Sequence, residues 1–128
     1  MAEWTLSIFL KDIKWYNALH KNKTVESRVP DLSNPAKDYT KIKAGDKIVI
    51  QVLDSNTLNR LDYPLARFIV KFNHHYPTVE SMLKVEGLAN VFPGVRSLKE
   101  AEDIICSFPR YAKDLKKNGI CAFGLRKA

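Results

Sequence analysis

Residues 21–28 read KNKTVESR, two lysines, a glutamate and an arginine within one short segment, and Pro30 follows closely. How this stretch is read decides the fold. Thr24, Val25 and Val29 are β-branched and the segment alternates, so 24–29 is predicted as a strand that Pro30 ends. Alternation places Val25, Ser27 and Val29 on one face and Thr24, Glu26 and Arg28 on the other. The valines suit a core. Glu26 and Arg28 then stand roughly 7 Å apart on the opposite face, with Lys23 beside them where the strand begins. Two readings follow. The charges are a solvated edge, an ion pair worth about 0–1 kcal/mol. Or they form a binding wall, in which arginine holds phosphate or stacks on a base and glutamate accepts from base amino groups.

Working outward, Trp4–Leu10 is predicted as a strand and 11–20 as a helix with the apolar stripe Ile13, Trp15, Ala18, Leu19. Residues 30–41 form a polar loop with two prolines, and Gly45–Asp46 a turn before the clearest strand, 47–54. After a loop over 55–64, residues 65–76 alternate as a long strand. Thr78 is a candidate N-cap for a helix that Gly87 ends. Phe92-Pro93-Gly94 is a turn, and Ser97 with Glu100 matches a capping box. Leu98, Ala101, Ile105 and Phe108 share the inner face of that helix. Pro109 breaks it, a basic piece runs to Gly119, and 120–125 is a closing strand. There is no repeat, low-complexity tract or linker, so residues 1–128 form one domain. The order β-α-β-β-β-α-α-β does not alternate as a doubly wound sheet does. An α+β fold is expected: a small mixed β-barrel of five to six strands with helices packed around it.

The chain carries 21 Lys and Arg against 14 Asp and Glu, a net charge of +7. The excess is concentrated: residues 110–127 hold six cations against one acid, and residues 11–47 hold nine against five. Such a distribution favours polyanions. The run KDLKK (113–117) reads as a solvated helix face unless it borders the site. No apolar run is long enough to span a bilayer and the start lacks a basic signal-like segment. An intracellular protein, cytoplasmic or nuclear, without a membrane partner, is expected; a monomer is favoured. Cys106 and Cys121 lack metal-ligand spacing and read as reduced, buried thiols, with one disulfide as the alternative. His74 and His75 are adjacent on a strand and point to opposite faces, so no metal site is expected; nor is a cofactor. Trp15 belongs to the core stripe, Tyr16 could pack or stack, and the loop residues Tyr39 and Tyr63 are candidates for stacking on bases.

Three pieces in order resemble the ASCH domain family of the PUA-like superfamily. KTVESR is similar to the family pattern Gly-x-Lys-x-x-Glu-x-Arg. KIKAGDKIVI is similar to its Gly-Asp turn before an apolar strand. HHYPTVESMLKVEGLANVFPG, with SLKEAE and the end strand NGICAFGL, is similar to its second half. The resemblance spans roughly residues 4–126. It implies a small RNA-associated barrel, with Lys23, Glu26 and Arg28 on the family's charged cleft and Glu86 near a further acidic position. The sequence departs from the pattern at Lys21, where the family usually has glycine, which adds a cation at the cleft entrance.

Function implied by the resemblance divides. Some members bind RNA, some are reported to cut it, and one branch deacylates N4-acetylcytidine with a lysine, a threonine and a glutamate. Glu26 occupies the matching threonine position, with Thr24 two residues earlier on the same strand face. A carboxylate does not replace an activated hydroxyl in acyl transfer. Lys23 and Glu86 remain as ammonium and acid/base groups. The leading expectation is binding of RNA or a modified nucleotide by Lys21, Lys23, Thr24, Glu26, Arg28, Tyr39 and Tyr63. The alternatives are a hydrolase on the same cleft, using Lys23, Glu26 and Glu86, and a protein-interaction domain.

Overall fold

The computed structural model describes residues 2–128. The elements are β1 (Glu3–Phe9), a 3-10 turn (Leu10–Asp12), α1 (Ile13–Leu19), β2 (Val25–Arg28), a 3-10 turn (Tyr39–Lys41), β3 (Lys47–Leu53), β4 (Ala66–Tyr76), α2 (Val79–Glu86), α3 (Leu88–Val91), α4 (Leu98–Cys106), α5 (Tyr111–Asn118) and β5 (Ile120–Lys127). The strands form one sheet in the order β1-β3-β4-β5-β2, curled into a half-barrel. β1 runs parallel to β3, and the other pairs are antiparallel. The expected class is therefore observed, with five strands and an unclosed barrel. The two edge strands, β1 and β2, are drawn together by the curl without pairing.

Alternation explains how the strands were recognisable. Ile48, Ile50 and Val52 of β3 and Ala66, Phe68 and Val70 of β4 are buried, as are Leu6 and Ile8 of β1. β5 is buried along nearly its whole length because it lies between β4 and β2 under the helices. Its register against β4 shifts between Val70 and Phe72, which leaves Lys71 as the bulged residue. Gly124 falls there for a steric reason: a Cβ on it would lie 2.1 Å from the Phe72 ring.

The caps form where expected, except that the Glu100 carboxylate returns to the Arg96 amide at 3.2 Å and so leaves the expected capping box at Ser97 half made. Thr78 Oγ1 accepts from the Ser81 amide at 3.1 Å, and Gly87 ends α2 with φ +91°. Ser97 Oγ accepts from the Glu100 amide at 3.1 Å. In the Gly45–Asp46 turn, Gly45 takes φ +91° and the buried Asp46 carboxylate accepts from the Ala2 and Lys43 amides and the Trp4 indole. That aspartate ties the start of β1 to the start of β3.

One expectation is corrected. Cys106 is exposed, because Ala101 and Ile105 take the inward face of α4 and the next residue turns about 100° away. Cys121 is buried as expected, and burial pushes its thiol up to about 12. Neither forms a disulfide. Trp15 is core, edge-to-face on Phe92 at 5.3 Å, and Tyr16 is buried with its hydroxyl donating to the Pro64 carbonyl.

Gly124→Ala is expected to lower stability by about 1–3 kcal/mol through overpacking against Phe72. A thermal or denaturant melt reads the loss, and Phe72→Leu in the same chain should recover part of it.

Candidate functional site

β2 holds the site because of what its backbone lacks. The Thr24 carbonyl accepts from Leu125 of β5, so Val25 and Ser27, one residue out of phase, aim their backbone groups at the open edge. Charged side chains meet those groups. Lys23 Nζ donates to the Val25 carbonyl at 2.9 Å, and the Ser27 amide donates to Glu26 Oε1 at 2.9 Å. Across the gap, Arg28 Nη1 donates to the Ser7 carbonyl of β1 at 3.1 Å. Arg28 Nη2 also donates to Glu26 Oε2 at 3.3 Å, while Lys23 Nζ lies 3.5 Å from Glu26 Oε1. Lys23, Glu26 and Arg28 thus form a connected triad along the seam between the two edge strands.

The triad is inside the protein. Lys23 is 3% exposed and Glu26 6%. The expectation of an outward Glu26–Arg28 face is corrected: both faces of β2 are covered, because its second face looks across the curl toward β1, and not to water. Lys23 Nζ also donates to the Val91 carbonyl of α3. The Phe92 ring centre lies 5.0 Å from it and the Trp15 ring centre 5.8 Å. Two carbonyls and a carboxylate around one nitrogen match the three donors of an ammonium.

Burial lowers the Lys23 pKa, against the pull of Glu26. Burial works to raise Glu26, but Lys23, Arg28 and the Ser27 amide outweigh it and hold the carboxyl below its usual range. For Arg28 burial is likewise overcome, chiefly by Glu26, and the guanidinium is held more firmly protonated than usual.

A cavity of about 410 Å³ opens along the seam. β1 lines it continuously from Thr5 to Phe9, and the triad with Ser27 lines the facing wall. Trp15, Tyr39, Phe92, Phe108 and Tyr111 supply aromatic surface. Thr5, Ala36, Lys37, Leu58 and Pro109 are its exposed members. Leu58 and Arg110 are the non-glycine residues with positive φ (63° and 64°) among the described residues, and both line this cavity.

The structure brings Lys23, Glu26, Arg28 and Tyr39 together at the cavity and leaves the other predicted residues outside its lining. Lys21 and Thr24 are exposed at the α1–β2 turn, where the Thr24 amide donates to the Asn90 carbonyl. Tyr63 packs edge-to-face on Tyr16 at 5.7 Å. Tyr39 is corrected from a loop platform to a buried residue, packed on Phe123. Glu86, at the end of α2, accepts from His74 Nδ1 at 2.8 Å and from the Tyr76 hydroxyl. Burial, followed by that bond, pushes Tyr76 up to about 12. His75 instead contacts the Asn118 carbonyl at 2.6 Å, so the paired histidines do part, as alternation requires.

Sequence reasoning missed Asp12, Arg110 and Tyr111. Asp12 Oδ2 is buried in the structure without a hydrogen-bond partner, and its residue lines the cavity. No pattern marked it, since an aspartate at a strand–helix junction reads as a cap.

Glu26→Gln is expected to destabilise the fold by about 3–5 kcal/mol, because it leaves two buried cations without their shared carboxylate. The pH dependence has a definite sign. Glu26 binds its proton less tightly folded than unfolded, so the unfolded chain takes up more protons between the two pKa values. Its contribution is present above the unfolded carboxyl pKa and is lost as pH falls through the folded one. Denaturant melts across the acid range should show a shallower loss in Glu26→Gln than in the parent.

No family model matches the chain, and no curated protein matches it. Two solved structures are similar over almost the whole length. The crystal structure of hypothetical protein PH0355 has a TM-score of 0.71 at 25% identity, covering 98% of this chain and 99% of that one. The solution NMR structure of protein PF0455 from Pyrococcus furiosus has a TM-score of 0.63 at 26% identity, covering 98% and 96%. Neither name states an activity.

Proposed function

We propose that this chain is a PUA-like, ASCH-type domain that binds RNA or a nucleotide, with one nucleoside unit in the seam cavity. The observation that carries the reading is the buried Lys23–Glu26–Arg28 triad in the wall of an aromatic-lined cavity of about 410 Å³. That volume suits a single small ligand. Aromatic walls suit a base, whose stacking is worth about 1–3 kcal/mol. The cavity's formal charges are Lys23, Arg28, Lys37 and Arg110 against Asp12 and Glu26, an excess of cations that suits phosphate. α5 begins directly after Arg110 and carries the exposed Lys113, Lys116 and Lys117, so a strand leaving the cavity along this helix would meet a basic face.

Binding is favoured over hydrolysis by how the candidate catalytic groups are engaged. The Lys23 amine faces three acceptors, and both Glu26 oxygens are occupied. Thr24 and Glu86 lie outside the cavity lining. Among the described residues, none of the three groups expected to act in hydrolysis, Lys23, Glu26 and Glu86, stands free on this wall, as acyl transfer or strand cleavage would require.

Arg28→Lys keeps the charge and loses the planar fork, and is expected to weaken nucleotide binding by about 1–3 kcal/mol. Titration of intrinsic tryptophan fluorescence with mononucleotides and short RNAs reads the change. Unaltered affinity would remove Arg28 from the binding wall. Lys113→Glu with Lys117→Glu should weaken RNA binding and flatten its salt dependence while leaving mononucleotide binding and the melting temperature unchanged. If RNA affinity is equally unmoved, the α5 face is only a solvated surface.

A further inference from the structure

The triad does not exhaust the polar groups of the cavity. A guanidinium has five N–H donors, and Arg28 uses one on the Ser7 carbonyl and one on Glu26. The others belong to a side chain only 14% exposed. Tyr39 and Tyr111 are buried at 6% and 8% exposure and line the same cavity. Among the described residues neither hydroxyl has a hydrogen-bond partner, and neither is cut off from the cavity's open space. Arg28 lines this cavity with them. Burial pushes the Tyr111 hydroxyl up to about 12, so it remains a donor at neutral pH. Such donors are available to a ligand in the cavity. Their complement is an anionic, acceptor-rich group.

We infer that Arg28, Tyr39 and Tyr111 form an anion subsite that takes the terminal phosphomonoester of a nucleotide. The inference rests on the nucleotide reading above and specifies how the ligand enters. An internal phosphodiester carries chain on both sides, and both would have to pass a guanidinium side chain only 14% exposed. A terminal phosphate carries only one nucleoside. The unpartnered Asp12 Oδ2 supplies the complementary feature, an acceptor for a ribose hydroxyl or a base amino group. Arg110 and Lys37 add cations to the same cavity. The ligand class is therefore a nucleoside monophosphate unit, free or at the end of an RNA.

The test is calorimetric or fluorescence titration of the full chain with a nucleoside, its 5′-monophosphate, a short RNA with a 5′-phosphate, the same RNA with a 5′-hydroxyl, and inorganic phosphate. Parent, Tyr39→Phe and Tyr111→Phe are compared, and melting curves check that the ring packing survives. Each phosphorylated ligand is expected to bind about tenfold or more tighter than its hydroxyl counterpart. Each Phe variant should cut that preference about threefold or more and leave the hydroxyl forms unmoved. Comparison of the two phosphorylated arms tells a free nucleotide from an RNA end. Equal binding of phosphate and hydroxyl forms, or a preference untouched in both variants, overturns the subsite while leaving nucleotide binding intact. Tyrosine-dependent binding of inorganic phosphate, with no response to any nucleoside or nucleotide, supports the anion subsite and overturns the nucleotide reading. Silence toward every ligand overturns both.

Discussion

The gap between β1 and β2 is bridged by one guanidinium, and the shape of the site follows from that bridge. Arg28 donates to the Ser7 carbonyl on one side and to Glu26 on its own strand, so it substitutes for the ladder that would have closed the barrel. Unpaired strand edges are normally covered, charged or bulged to prevent pairing with other chains. Here the edges face each other, and the covering groups are side chains of β2 and of Lys23 just before it. Lys23 meets the Val25 carbonyl and Glu26 meets the Ser27 amide. The charges packed into KNKTVESR therefore have a structural cause: they satisfy backbone groups at an edge that has no partner strand.

Such an arrangement is poorly explained by stability alone. Buried ion networks recover little beyond their desolvation cost, and well-packed apolar residues often do as well. An apolar β2 could not satisfy the Ser7 and Val25 carbonyls, however, and the edges would then have to pair. Pairing would consume the space between them. The triad is the solution that satisfies the backbone and keeps the strands apart, and it leaves a guanidinium with unused donors facing the resulting cavity. The structural role of Arg28 and the binding role proposed for it are two aspects of one geometry.

Much of this was legible in the sequence, for reasons specific to each element. β3 and β4 alternate cleanly because one face packs inward, and caps at Thr78, Gly87 and Ser97 depend on local backbone chemistry that a sequence records directly. Val25 and Val29 were legible as core for the same reason. The environment of Glu26 was not, because period-two reasoning assumes that the second face is wet. In a curled sheet the second face of an edge strand looks across the curl, and nothing within residues 24–29 reports that. Glu86 illustrates the same limit at longer range. Its side chain is committed to His74 and Tyr76, a pairing fixed by how α2 lies on β4 and invisible in the spacing of the three residues. The short α3 escaped notice because its four residues offer no periodicity.

The cavity's rim carries a second mark of the same constraint. Leu58 and Arg110 hold positive φ, a conformation that costs an ordinary L-residue roughly 1–2 kcal/mol, and glycine would remove that cost at either position. Strain of this kind persists only where the surrounding structure over-determines it. Arg110 has identifiable partners, an ion pair to Asp114 at 3.0 Å and the Tyr111 ring at 5.0 Å, and both require its side chain. Glycine there would relax the backbone, forfeit those contacts and free the start of α5, which carries Tyr111. Leu58 is exposed and held through its backbone, its amide donating to the Asp54 carbonyl at 3.0 Å, and it also borders the cavity. Two unrelated segments thus adopt an unfavourable backbone at one opening, and the side chains that glycine would delete are the ones that shape its entrance.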